Sequence, residues 1–187
     1  MIKVGIIGPT NIPKLSRLTG KSQEFLLEKA QLIGRILAET DCELWINSDK
    51  GMLVAIGRTY KKFNGKKLVV LYPNKGEPWP KEHTKPYIKN ADEIRKELNW
   101  FWSNYNVTAL PDLCVCVGLS AGTLSELAYI KWNHQLKCGR LKKLIAIQEL
   151  LRDGKLPPEI EDDIKTIVQY IKKTEDLKDF LENYEKA

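Results

Sequence analysis

The chain has 187 residues, 43% of them hydrophobic and 29% charged, a balance that excludes a disordered or low-complexity protein. No repeat of solenoid period occurs, and no apolar run approaches the roughly 18 residues needed to span a bilayer. With a strand-like apolar segment at the very N-terminus, these features lead us to expect a cytoplasmic chain without membrane association, folded as one domain over residues 1–187.

The first apolar run, Ile2 to Ile7, is short, β-branched and closed by Gly8-Pro9, so it reads as a strand followed by a loop running to Lys21. Leu26, Ala30, Ile33 and Leu37 then form the stripe of an amphipathic helix, with Ser22 as its N-cap. Glu43 to Asn47 predicts a second strand, Met52 to Phe63 a second helix and Lys67 to Tyr72 a third strand. The aperiodic segment from Asn74 to Asn90, with Pro78, Trp79, Pro80, His83, Pro86 and Tyr87, reads either as a lid or as a structural loop pinned by its aromatic residues. Ala91, Ile94, Leu98, Phe101 and Tyr105 predict a third helix, and Leu113 to Val117, apolar on both faces, a central parallel strand. Leu124 to Trp132 is predicted helical and Lys143 to Gln148 a strand. Beyond residue 150 two further helices are expected, one through Ile160, Ile164, Ile167, Val168 and Ile171, the other from Glu175 with Thr174 as its cap.

Alternating strands and helices imply an α/β, Rossmann-like three-layer sandwich: a mostly parallel sheet, helices on both faces, and two extra C-terminal helices. In the common strand order 3-2-1-4-5, the loops after the first and fourth strands face each other across one crevice at the switch point. Those loops are Gly8 to Lys21 and Gly118 to Thr123. This crevice is the expected site.

Two phosphate signatures fail on spacing. Gly20-Lys21-Ser22 ends like a P-loop, but the earlier glycine falls at Leu15 and no strand leads directly into it. Gly5 and Gly8 lack the G-x-G-x-x-G spacing of dinucleotide binding. The four cysteines and two histidines have no metal-ligand spacing, so no metal site is predicted and the thiols read as buried and free. The net charge of +6, with lysines at 61, 62, 66 and 67 and from 137 to 143, is weak support for an anionic ligand and weaker support for nucleic acid.

The segment GLSAGTLSE, Gly118 to Glu126, lies between an apolar strand and a helix. Small residues allow a tight turn, and unsatisfied amides at the helix start attract an anion. Gly118, Leu119, Ser120, Ala121, Gly122 and Thr123 are therefore candidate phosphate ligands, facing Gly8, Pro9 and Thr10. Thr123-x-x-Glu126 is equally a capping box, and spacing alone leaves both readings open. Arg17 and Arg58 are candidate anion contacts. His83 has no carboxylate at a telling spacing. Trp100, Trp102 and Trp132 read as core or interface more readily than as base-stacking residues.

The G-T-x-x-E element resembles the P-G-G-x-G-T-x-x-E signature of the Lonely-guy (LOG) and "lysine decarboxylase-like" proteins. These belong to the wider SLOG group, which includes molybdenum-cofactor carrier proteins and DprA DNA-processing proteins. Ala30 with Ile33 to Ala38 (IGRILA) resembles that group's A-x-x-L-G-x-x-L-A helix. Lys50-Gly51-Met52 stands where it has a G-x-x-G-[VL]-M turn, which adds Gly51 and Met52 to the candidate ligand contacts, and VVLYP resembles its third strand. The resemblance covers residues 1–150 and leaves 151–187 as a C-terminal extension. The chain departs from the signature at Leu119 and Ser120, in place of P-G-G glycines, and at Ser48 and Asp49. The Arg-Lys pair of the LOG hydrolases, placed by its spacing from the glycine turn, falls at Ser103, and Arg95-Lys96 lies too early.

The resemblance implies a protein that binds a nucleotide or phosphorylated cofactor, requires no other cofactor, and forms a homodimer or higher homo-oligomer. As an alternative it implies an enzyme, a nucleoside 5′-monophosphate phosphoribohydrolase with Glu126 as the catalytic group. DprA-like nucleic-acid binding ranks third.

Overall fold

A computed structural model describes residues 1–74 and 82–184. The chain runs β1 (Lys3–Ile7), α1 (Ile12–Thr19), α2 (Gln23–Glu39), β2 (Glu43–Asn47), α3 (Met52–Lys62), β3 (Lys67–Pro73), β4 (Glu93–Glu97), α4 (Trp100–Ala109), β5 (Leu113–Cys116), α5 (Ala121–Leu136), β6 (Lys143–Ile147), α6 (Pro158–Ile164), β7 (Val168–Ile171) and α7 (Asp176–Tyr184), with short 3₁₀ turns between. All seven strands pair in parallel in the order β4-β3-β2-β1-β5-β6-β7. The chain reverses direction across the sheet between β1 and β5. That is the predicted switch point.

Two apolar layers enclose the sheet. One packs Leu26, Ala30, Ile33 and Leu37 of α2 and Ile56 and Tyr60 of α3 against Val4, Ile6, Leu44 and Val70, with Leu177 and Leu181 of α7 beside them. The other packs Val107 of α4, Leu127 and Ile130 of α5 and Ile164 of α6 against Ile7, Leu71, Cys114 and Cys116. The sheet is thus covered on both faces, and its central strands carry no polar alternation. Among the described residues no helix is long and apolar enough to cross a membrane.

The structure corrects four expected elements. The loop after the first strand contains α1, begun by Asn11, whose side chain accepts from the Lys14 amide at 2.9 Å. The helix expected from Ala91 starts only at Trp100, where Asn99 accepts from the Trp102 amide at 3.2 Å. Glu93–Glu97 instead forms the edge strand β4, anchored where Asp92 accepts from the Leu68 amide at 2.7 Å. Ile94 and Leu98, part of the apparent helical stripe, are exposed, and the charged EIRKE sequence suits an edge that must not recruit further strands. The helix expected from Ile160 to Ile171 stops at Ile164, and VQYI becomes β7, because three of its four residues are β-branched or aromatic and pair well beside β6. The C-terminal extension therefore adds a strand between its two helices. Finally, the buried Thr174 hydroxyl has no partner among the described residues, so it does not cap α7. The proline and aromatic cluster at Pro78, Trp79 and Pro80 lies outside the described residues.

Three thiols are buried as expected, but Cys138 is exposed, because it follows α5 rather than lying within the sheet. Burial pushes the Cys116 thiol up to about 12 and that of Cys114 well above its ordinary value, so neither is nucleophilic.

A cleft at the sheet switch point

The carboxyl ends of β1, β2 and β5 open into a cleft of about 580 Å³. Gly8, Pro9 and Thr10 form one wall, and Leu119 through Thr123 at the start of α5 the other. Val117 donates to Ile7 at 3.0 Å and holds the two walls in register. Behind them, Gly118 has φ +135°, and a Cβ there would stand 3.0 Å from Pro9 Cδ. Gly51, at φ +71°, would place a Cβ 2.6 Å from the Thr10 carbonyl oxygen. Only glycine allows this approach. The adjacent Met52 amide donates to Pro9 O at 3.2 Å.

Ser120, in extended conformation, is the N-cap of α5. Its Oγ accepts from the Thr123 amide at 3.2 Å, and the Ser120 and Thr123 hydroxyls lie 2.9 Å apart. The Thr123-x-x-Glu126 capping box is therefore not formed, because the cap lies three residues earlier. The amides of Ala121 and Gly122, in the first turn, have no intrahelical acceptor, and both residues are exposed.

Released from capping, Glu126 points to the cleft floor, where it is 5% exposed and its Oε1 accepts from Asn47 Nδ2 at 3.1 Å. Asn47 also donates to Asn104 Oδ1 at 3.0 Å, joining the end of β2 to α4 and α5. Burial, with a smaller contribution from the nearby Asp49 carboxylate, holds the Glu126 carboxyl well above the usual range against the lowering effect of the Asn47 bond. Burial also raises Asp49, opposed by its bond from the Lys50 amide and by His83. Burial thus favours the neutral form of Glu126, the form able to donate a hydrogen bond or a proton.

The structure brings Gly8, Pro9, Thr10, Leu119, Ser120, Ala121, Gly122, Thr123 and Glu126 together as cleft lining. Gly51, Met52 and Gly118 stand outside that lining and shape its walls. Arg17 and Arg58 are exposed and do not line the cleft. The helical period that buries Ile12 and Leu15 of α1 brings Lys14, rather than Arg17, to the cleft. Arg95 sits on β4, paired with Glu97 at 3.1 Å and lying over the Trp45 ring.

Sequence reasoning missed Asn47, Asp49, Asn104 and Lys14 and passed over His83 and Trp100, which stack at 5.7 Å and line the cleft. One available signal was positional: Asn47 ends a predicted strand, and ligands bind beyond strand carboxyl ends in such sheets. Asn104 has no such signal until α4 is placed. Trp102 and Trp132 are about half exposed and lie outside the cleft lining. Among the described residues no cluster fit to hold a metal ion occurs.

Sheet order and cleft together define a Rossmann-like protein with a ligand-sized cavity at the switch point. Solved structures share this fold. The molybdenum cofactor binding protein of Rippkaea orientalis aligns with TM-score 0.67 and 15% identity, over 98% of this chain and 96% of its own. The molybdenum cofactor carrier protein of Chlamydomonas reinhardtii aligns with TM-score 0.63 and 15% identity, over 93% and 91%. DNA processing protein A of Helicobacter pylori, a single-stranded DNA binder, aligns with TM-score 0.64 and 14% identity, over 97% and 80%. At these identities the likeness is one of fold. Neither protein-family models nor curated proteins match the sequence.

Proposed function

We propose that the protein binds a nucleotide or phosphorylated cofactor, with phosphate on the Ser120–Thr123 turn and the Gly8–Thr10 loop opposite. The observation that carries this reading is the open first turn of α5 in the cleft wall, where two amides without intrahelical acceptors and the helix dipole favour an anion, with Lys14 lining the same cavity. Glu126, whose neutral form burial favours, offers a contact to a ribose-like hydroxyl. The fold shared with molybdenum cofactor carriers supports a holding role.

A second reading, nucleoside 5′-monophosphate phosphoribohydrolase, is favoured by one observation: a buried carboxyl with a raised proton affinity is suited to protonate a leaving base. Against it, among the described residues no arginine lines the cleft to fix the phosphate. Nucleic-acid binding is weaker still, since Lys61, Lys66 and Lys67 pair with Asp92, Asp41 and Glu93 at 2.7 to 2.8 Å. The test is a panel of nucleoside monophosphates scored for thermal shift and for base release. Stabilisation without release is expected. Release that disappears in Glu126→Gln establishes the enzyme, and a panel that stabilises nothing overturns both readings.

A further inference from the structure

The two ends of the cleft have opposite hydrogen-bonding sense. The α5 end offers donors: the amides of Ala121 and Gly122, with Lys14 lining the same cavity. The Asn47–Asp49 part of the floor offers acceptors. Asn47 is 3% exposed, both its amide hydrogens are committed to Asn104 and Glu126, and its Oδ1 is buried without a partner among the described residues. Asp49 lines the same floor, with one oxygen on the Lys50 amide at 2.7 Å. A buried acceptor left unpaired costs about 1–3 kcal/mol, and a ligand that supplies its donor recovers part of that cost. Between Thr123 and Glu126 lies about one helical turn, roughly 5 Å.

We infer that the Asn47–Asp49 floor is a selectivity element: it accepts hydroxyl or amino donors from a ligand whose single phosphate occupies the α5 turn, and turns away ligands with a second anion at the far end. The inference rests on the phosphate reading proposed above. The ligand class is a phosphomonoester of a polyhydroxy or amino compound. A second phosphate would meet the Asp49 carboxylate and the Asn47 carbonyl oxygen in a confined, partly desolvated space, where like charges repel more strongly than in water.

The test is titration calorimetry with three probes: inorganic phosphate, ribose 5-phosphate and ribose 1,5-bisphosphate. Wild-type protein is expected to bind ribose 5-phosphate about tenfold more tightly than either of the others. Asn47→Leu brings ribose 5-phosphate to the level of inorganic phosphate. Asp49→Asn, at a half-buried position that tolerates the change, narrows the gap between monoester and bisphosphate severalfold and keeps the inference falsifiable if Asn47→Leu does not fold. Equal binding of monoester and bisphosphate, or a ratio unchanged in Asp49→Asn, overturns the selectivity element and leaves the phosphate turn standing. Failure of every phosphate probe to bind overturns both.

Discussion

The two poles of the cleft are built from different materials. The donor pole is mostly main chain: a strand, a tight turn and a serine-capped helix start, all contiguous from Leu113 to Thr123. The acceptor pole is side chain, assembled from Asn47 at the end of β2 and Asp49 beyond it, with Asn104 on α4 and Glu126 on α5 holding the Asn47 amide. An anion site needs only local backbone geometry, whereas a site that distinguishes the rest of a ligand requires residues that topology alone brings together.

The largest expected effect comes from a position that supports both poles. Gly51→Val forces a β-branched residue into φ +71° with its Cβ 2.6 Å from the Thr10 carbonyl oxygen. We expect a loss of about 2–4 kcal/mol in urea unfolding, with displacement of the Thr10 loop and loss of phosphate binding. An unchanged unfolding midpoint would show that the loop accommodates the side chain and that the poles are independent of it.

Glu126→Gln addresses the acceptor pole alone. Because the native carboxyl is held above its unfolded value, the stability contributed by its neutral form is complete below the ordinary glutamate range and is lost as pH rises through the native pKa. Asp49 shifts in the same direction, so the stability contributed by these two groups falls as pH rises above the ordinary carboxylate range. His83, also in this cleft, and Cys114 and Cys116 on β5 face the same groups. The substituted amide cannot ionise and keeps an acceptor for Asn47. The variant should therefore show a shallower pH slope and gain stability relative to wild type as pH rises, read as thermal midpoints at pH 5 and pH 8. Parallel slopes would mean that Glu126 is ionised in the native protein.

Ser120→Ala addresses the donor pole. Loss of the cap frees the Thr123 amide and removes a hydroxyl from the turn, so we expect about 1 kcal/mol of destabilisation and weaker phosphate binding at every pH. If phosphate affinity is unchanged while stability falls, the anion sits elsewhere.

The same division explains what was legible in the sequence. The central strands, the switch point and the α5 turn were readable because each is announced by a contiguous pattern: apolar runs for β1 and β5, and small residues before a helical stripe for α5. The edge strands were not, since β4 and β7 have residues that also satisfy a helical period, and pairing with β3 and β6 decides between the two. Glu126 was identified, but its spacing from Thr123 matched a capping box that Ser120 pre-empts. Asn47 and Asn104 lie 57 positions apart in the chain, and no local pattern links them.

The smallest expected effect separates the poles by their response to salt. Lys14 is exposed, so its attraction for a bound phosphate acts largely through water and is screened by ions, whereas the buried Asn47 interactions are not. Lys14→Ala should weaken ribose 5-phosphate binding about threefold at low ionic strength. That difference should disappear near 1 M salt, where the screening length falls to about 3 Å. The loss from Asn47→Leu should persist across the same range, because it depends on short-range hydrogen bonding rather than on a field. A Lys14 effect that survives high salt would place its ammonium in direct, desolvated contact with the phosphate, and the donor pole would then be a side-chain site as well.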